Sequence, residues 1–260
     1  MSVFERRDMA SFLSQMPDSL PLSSLLLPGI PNTRSLFDII TLLRHSQELT
    51  IRTLSTSCKA VSFCSCDADI VYTRMAFYGW PISQCQSLST PLAVQLQSGI
   101  RVLDIRLAVV DGHLIAYHGI FPERTPFQEI LSTVHDFLTA PETCREAIVM
   151  SIKQEDFSTT PLPYFSQCVH DEIMNGPGGR DMWFLENRIP LLGEVRGKVV
   201  MLSRFGGDGS GWENGLEGLG IHPTAWPDSD KDGFTWTLKG TLVRTHDWYV
   251  HVPSPASQLR

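Results

Sequence analysis

The chain has 260 residues, 42% of them hydrophobic and 19% charged, and its 21 Lys and Arg stand against 28 Asp and Glu for a formal net charge of −7. This composition excludes disordered, collagen-like and mini-protein classes, while the length supports one large barrel or two small domains. The acidic balance argues against a nucleic-acid groove, which needs clustered Lys and Arg, so any anionic ligand has to meet local cations.

No segment approaches the ~20 consecutive apolar residues that cross a bilayer, and the N-terminus, MSVFERRDM, lacks the apolar stretch of a signal peptide. The chain therefore reads as cytoplasmic or peripheral to a membrane. Six cysteines, at positions 58, 64, 66, 85, 144 and 168, have no paired CxxC spacing. Cys58, Cys64 and Cys66 with nearby His45 make a weak metal-ligand grouping, and free thiols are the default reading.

The first predicted element is a short buried strand in SSLLLPG (23–29), where three leucines run into the Pro28-Gly29 turn. A longer strand follows in GIRVLDIRLAVV (99–110). Asp111-Gly112 then turns the chain, and HLIAYHG (113–119) returns as a hairpin partner. Residues 126–140 are expected to be helical, because Phe127, Ile130, Leu131, Val134, Phe137 and Leu138 recur on one face. Next come a buried strand at 146–153, a helix near 163–174, a Gly-rich loop at 176–179, and strands at 197–205 and 241–250. Apolar strands alternating with helices predict an α/β fold, either a barrel or a doubly wound sheet.

In a barrel, polar residues at the C-terminal ends of the strands build the site. Here those residues are Asp104 and Arg106, His118, Lys153 with Glu155, Arg204, and Asp247 with Tyr249. A single strand-end Asp is usually a cap and a single Lys is usually solvated. Five strands ending alike predict convergence on one pocket, with cations for an anion and a titratable histidine.

One segment breaks the pattern. Residues 30–74 contain none of the 19 glycines, hold half of the cysteines, and show poor periodicity beyond a predicted helix over Ser35–Leu43. The simplest reading is a surface insertion loop, but 45 residues is long for a connection inside a compact domain, so the segment reads as foreign to the fold.

Taken in order, LPLSSLLLPG, MAFYGWPISQCQSLSTPLAVQLQSGIRVLDIRL, LIAYHG, VMSIKQE, GKVVMLSRF and THDWY resemble the phosphatidylinositol-specific phospholipase C X-domain family in its small bacterial and fungal form. The resemblance covers residues 10–29 and 75–253. It implies a distorted TIM barrel and cleavage of an inositol phosphodiester in two steps. The inositol 2-hydroxyl first attacks phosphorus as diacylglycerol leaves, and water then opens the cyclic phosphate. Two histidines on opposite sides of the phosphate act as base and acid.

Carried over by position, His118 is the implied general acid, Arg106 the phosphate-stabilising cation, and Asp104 the residue that orients one or both. Lys153, Glu155, Arg204, Asp247 and Tyr249 fall at implied substrate-binding positions. Arg106 stands where larger relatives use calcium, so the resemblance implies no metal and no other cofactor. The implied partner is phosphatidylinositol or a related inositol phosphodiester, met by a monomer, with no nucleic acid. Trp80, Phe77 and Tyr78 are candidates for a rim in contact with a membrane.

Two departures follow from the same comparison of motifs. The family continues its first strand as Leu-Pro-Gly-Thr-His-Asp, and that histidine is the first-step base. Here Leu27-Pro28-Gly29 leads into Ile30-Pro31-Asn32-Thr33, and the family pattern resumes only at Met75. Proline accepts no proton, so the base is absent and residues 30–74 stand in place of the short motif, either as an unspliced intron or as a natural insertion. The chain also stops at Arg260, soon after Tyr249, which predicts a barrel incomplete at its C-terminus. The expectation is therefore one barrel domain over 1–260 with an atypical insert at 30–74. In function it is a phosphoric diester hydrolase by lineage with little activity as written, or else an inactive protein that binds inositol phosphates or membrane surfaces, or a truncated product without function.

Overall fold

A computed structural model of the chain describes residues 9–31, 38–45, 48–55, 91–118, 121–156, 158–210, 212, 215–227 and 232–248. The framework is a mixed sheet whose central strands are parallel. They are β1 (Leu26–Pro31), β4 (Val102–Val110), β7 (Ala147–Gln154) and β9 (Lys198–Arg204), paired in that order. Between β1 and β4 in sequence lie β2 (Asp38–His45) and β3 (Glu48–Ser55), and β5 (His113–His118) and β6 (Phe121–Pro126) follow β4. The rest are β8 (Trp183–Phe184), β10 (Phe234–Leu238) and β11 (Thr241–Trp248). The sheet order among the described residues is β10-β11-β3-β2-β1-β4-β7-β9-β8, with β5 on β4 and β6 on β5.

The central strands are apolar on both faces because each face meets a separate core. Val102, Val149, Val200 and Leu202 point to one side, where they pack with Leu27, Trp236 and Val243. Their alternates Leu103, Ile105, Met150, Ile152, Val199 and Met201 point to the other side, under the helices. That outer core is covered by α1 (Leu92–Gln97), α2 (Phe127–Thr139) and α3 (Leu162–Asn175). The buried residues of α2 are the six that the 3,4 spacing predicts. The Asp111-Gly112 hairpin also forms as expected. Both residues have positive φ, 50° and 79°, and Val110 pairs with His113, which is the twist a two-residue turn needs.

The segment 30–74 departs from its expectation where it is described. Of the helix predicted over Ser35–Leu43, the described residues 38–43 lie instead in strand β2, antiparallel to β1 from Leu26↔Thr41 to Gly29↔Asp38. With β3 it makes a hairpin, and β3 runs parallel to β11 from Leu242↔Glu48 to Trp248↔Leu54. These residues are therefore sheet strands rather than surface loop. Alternating polar and β-branched residues such as Thr41, Thr50, Ile51 and Thr53 suit an extended chain, and pairing on both sides satisfies its backbone. About six strands were countable from apolar runs; β3, β6, β8 and β10 escaped that count because they are short or polar, and β2 because its apolar run was expected to be helical.

A turn of 3-10 helix at Met9–Gln15 lies against the N-terminal ends of the strands. Arg101 and Glu146 hold it there. Arg101 donates to the carbonyl of Ala10, while Glu146 accepts from Ser14 N–H and Oγ–H at 2.8 Å. Among the described residues no helix is long and apolar enough to cross a membrane.

Candidate active site

Strand direction and register decide what meets at the C-terminal ends of β4, β7 and β9. Arg106 pairs with Lys153, and Lys153 pairs with Arg204, so three basic residues form one row across three adjacent strands. A row of like charges is destabilising unless acids interleave. Two do so here. Asp104 sits two residues before Arg106 on β4, and Glu155 sits two residues beyond Lys153.

Their contacts form a linear alternation of charge, Arg204–Asp104–Arg106–Glu155–Lys153. Arg106 Nε donates to Asp104 Oδ2 at 3.1 Å and its Nη1 donates to Glu155 Oε1 at 3.3 Å. Lys153 Nζ lies 3.2 Å from the same Glu155 oxygen, and Arg204 Nη1 donates to Asp104 Oδ1 at 3.2 Å. Arg204 also lies over the Trp226 ring, 4.3 Å from its centroid, and that ring packs edge-on against Phe234. Ser151, the register partner of Asp104 on β7, donates to Asp104 Oδ1 at 3.1 Å. Asp104 thus binds groups from three strands. Burial pushes its carboxyl upward, but the charges of Arg106 and Arg204 and the hydrogen bonds from Arg106 and Ser151 outweigh it and hold the group below the usual carboxylate range.

Three cations against two carboxylates leave one positive charge in excess at this spot on a chain whose net charge is negative. Lys153 and Arg106 keep about a quarter of their side-chain surface exposed, whereas Glu155 and Arg204 are nearly covered. The arrangement can receive an anion at the exposed cations while the buried acids fix the geometry of those cations. Both acids are committed to cations, and among the described residues no group of three or more His, Cys, Asp or Glu could hold a metal ion.

Five of the eight residues picked from strand ends are therefore brought together: Asp104, Arg106, Lys153, Glu155 and Arg204. His118 ends β5, two residues beyond the Leu107↔Ala116 pair, but its side chain lies outside the described residues. Asp247 is on β11, and β3, β2 and β1 lie between β11 and β4 in the sheet order. Its side chain and Tyr249 are outside the described residues, as are Phe77, Tyr78, Trp80, Cys58, Cys64, Cys66 and Cys85. Cys144 and Cys168 are free thiols.

Two site residues escaped the sequence reading. Ser151 shares the Lys153 face by its two-residue offset, a signal that was legible. Trp226 belongs to HPTAWPD, which has no strand or helix period to place it.

Comparison with known proteins gives one consistent neighbourhood. Residues 81–205 match the family described as "Phosphatidylinositol-specific phospholipase C, X domain". A 1-phosphatidylinositol phosphodiesterase of Listeria monocytogenes is 27% identical over 192 residues, covering 74% of this chain and 48% of the relative. One from Staphylococcus aureus is 29% identical over 116 residues, covering 44% of this chain and 36% of the relative. The chain thus spans about half or less of the length of these curated relatives. In fold it is similar to the structure of a double mutant of the S. aureus phosphatidylinositol-specific phospholipase C, with a TM-score of 0.62 at 20% identity over 93% of this chain and 66% of that one.

Proposed function

Because the chain belongs to the phosphatidylinositol-specific phospholipase C X-domain family, we propose that it is of the phosphoric diester hydrolase lineage and takes an inositol phosphodiester at the Arg106, Lys153 and Arg204 row. The observation that carries this reading is the register of those three cations at the C-terminal ends of adjacent parallel strands, with Asp104 and Glu155 between them. The solved relatives share the fold, and the curated relatives are named for the phosphodiesterase reaction on phosphatidylinositol.

In this reading Arg106 faces the phosphate and stabilises the charge that grows on its non-bridging oxygens as the inositol 2-hydroxyl attacks. Its fork is aimed by Asp104 on one side and Glu155 on the other. His118 gives a proton to the departing diacylglycerol oxygen, and Lys153, Glu155, Arg204, Asp247 and Tyr249 hold the inositol ring. The protein acts as a monomer that meets the lipid at a membrane surface through Phe77, Tyr78 and Trp80.

The first-step base is missing from this set. Pro31, at the position of that base, is the register partner of Asp104 and so borders the cluster. Loss of a general base costs on the order of 10² to 10⁴ in rate. The chain as written therefore binds inositol phosphates with little turnover, and residues 30–74 of the single 1–260 domain occupy the place of the base motif. The test is diacylglycerol release from phosphatidylinositol vesicles alongside calorimetric titration with inositol 1-phosphate. Binding without release is expected. Release that His118→Ala leaves unchanged would overturn both the acid and the base assignments, and absence of binding would overturn the site.

A further inference from the structure

We propose that Ser151 is the positioning residue that keeps Asp104 in place when the neighbouring arginines turn to an incoming inositol phosphate. The inference rests on the phosphate-binding reading above and assigns a residue which that reading does not use.

Asp104 has three donors on two oxygens. Arg106 Nε holds Oδ2, whereas Arg204 Nη1 and Ser151 Oγ share Oδ1 at 3.2 and 3.1 Å. Two of these donors are cations that an inositol phosphate also attracts. An inositol phosphate arriving at the row draws Arg106 to its phosphate and Arg204 to its ring hydroxyls, and weakens the hold of both on the carboxylate. Ser151 differs in two respects: it carries no charge, and at 2% exposure it cannot reach the anion. Its bond to Asp104 therefore persists while those of the arginines are shared.

The backbone makes this bond direct. Asp104 and Ser151 are cross-strand partners on parallel neighbours, with side chains on the same face, one row below Arg106 and Lys153. No rearrangement of long side chains is needed to form it. A carboxylate fixed in this way offers Arg106 and Arg204 the same acceptor position in both the empty and the occupied site. Without the hydroxyl, Asp104 follows whichever guanidinium moves, and the row loses its shape as the anion binds.

The experiment is a titration of the full chain with inositol 1-phosphate, followed on the Nε–H resonances of Arg106 and Arg204, in wild type, Ser151→Ala and Ser151→Cys. Alanine removes the donor, and cysteine fills the site with a far weaker one. The expected result is that both variants bind inositol 1-phosphate about tenfold more weakly than wild type, because the loss of one bond to a buried carboxylate is of that order. Equal affinity in wild type and Ser151→Cys overturns the proposal, since only packing would then matter, and it leaves the phosphate site standing. Absence of any response to inositol 1-phosphate in wild type overturns the site itself and the Ser151 role with it.

Discussion

Arg101 and Glu146 meet at 2.9 Å with neither side chain exposed to solvent. Their pairing costs desolvation of two charges, and the remaining valences offset it. Arg101 donates to the carbonyls of Leu96, Ile100 and Ala10 and lies against the Phe12 and Phe137 rings. Glu146 accepts from Leu13 and Ser14. Removing one partner leaves the other charged and buried. Glu146→Gln is expected to lower stability by about 3–5 kcal/mol in urea denaturation. The exposed pair of Arg188 with Glu194 is the contrast, and Glu194→Ala is expected to cost about 1 kcal/mol or less. Similar losses from both variants would contradict the assigned role of the buried pair.

The lowered pKa of Asp104 sets a direction for acid sensitivity. An unfolded Asp titrates near about 3.9. Because the folded value is lower, the stability contributed by Asp104 is fully present above the unfolded value and is lost as pH falls through the folded one. Asp104→Asn removes this dependence. Urea midpoints measured from neutral pH down to strongly acidic pH are expected to fall less steeply in the variant than in wild type. Parallel curves would mean that Asp104 carries no such linkage.

Arg106 reaches two acids with two different nitrogens, Nε to Asp104 and Nη1 to Glu155. Lysine keeps the charge but has a single nitrogen and no planar fork. Arg106→Lys is therefore expected to weaken inositol 1-phosphate binding about tenfold or more. Calorimetric titration checks this, and wild-type affinity in the lysine variant would show that charge alone suffices at position 106.

Replacing residues 30–74 by Thr-His-Asp-Thr restores a proton acceptor next to Asp104 in the proposed mechanism. First-step activity is expected to rise by about 10² to 10⁴, read as diacylglycerol release, and to vanish again on His118→Ala. The same replacement deletes β2 and β3, which lie between β1 and β11. Melting curves of the shortened chain accordingly accompany the assay. A folded, shortened chain with no gain in rate would refute the missing-base account.

What was legible in the sequence was whatever local period and strand-end chemistry encode. The α2 face, the Asp111-Gly112 hairpin and the central apolar strands all follow from spacing, because a buried face constrains every third or fourth residue of a helix and a buried strand constrains nearly all of its residues. Asp104, Arg106, Lys153, Glu155 and Arg204 were also legible, as polar ends on apolar strands. Only the tertiary structure decided that Arg106, Lys153 and Arg204 share one row, since register between parallel strands is set by packing over long sequence separations. It likewise decided that residues 38–45 and 48–55 are sheet strands, because polar, β-branched segments become strands when neighbours on both sides satisfy their backbone groups. Ser151 shows the boundary between the two: its face can be read from the position of Lys153, but its hydroxyl gains a role only when β7 brings it to Asp104.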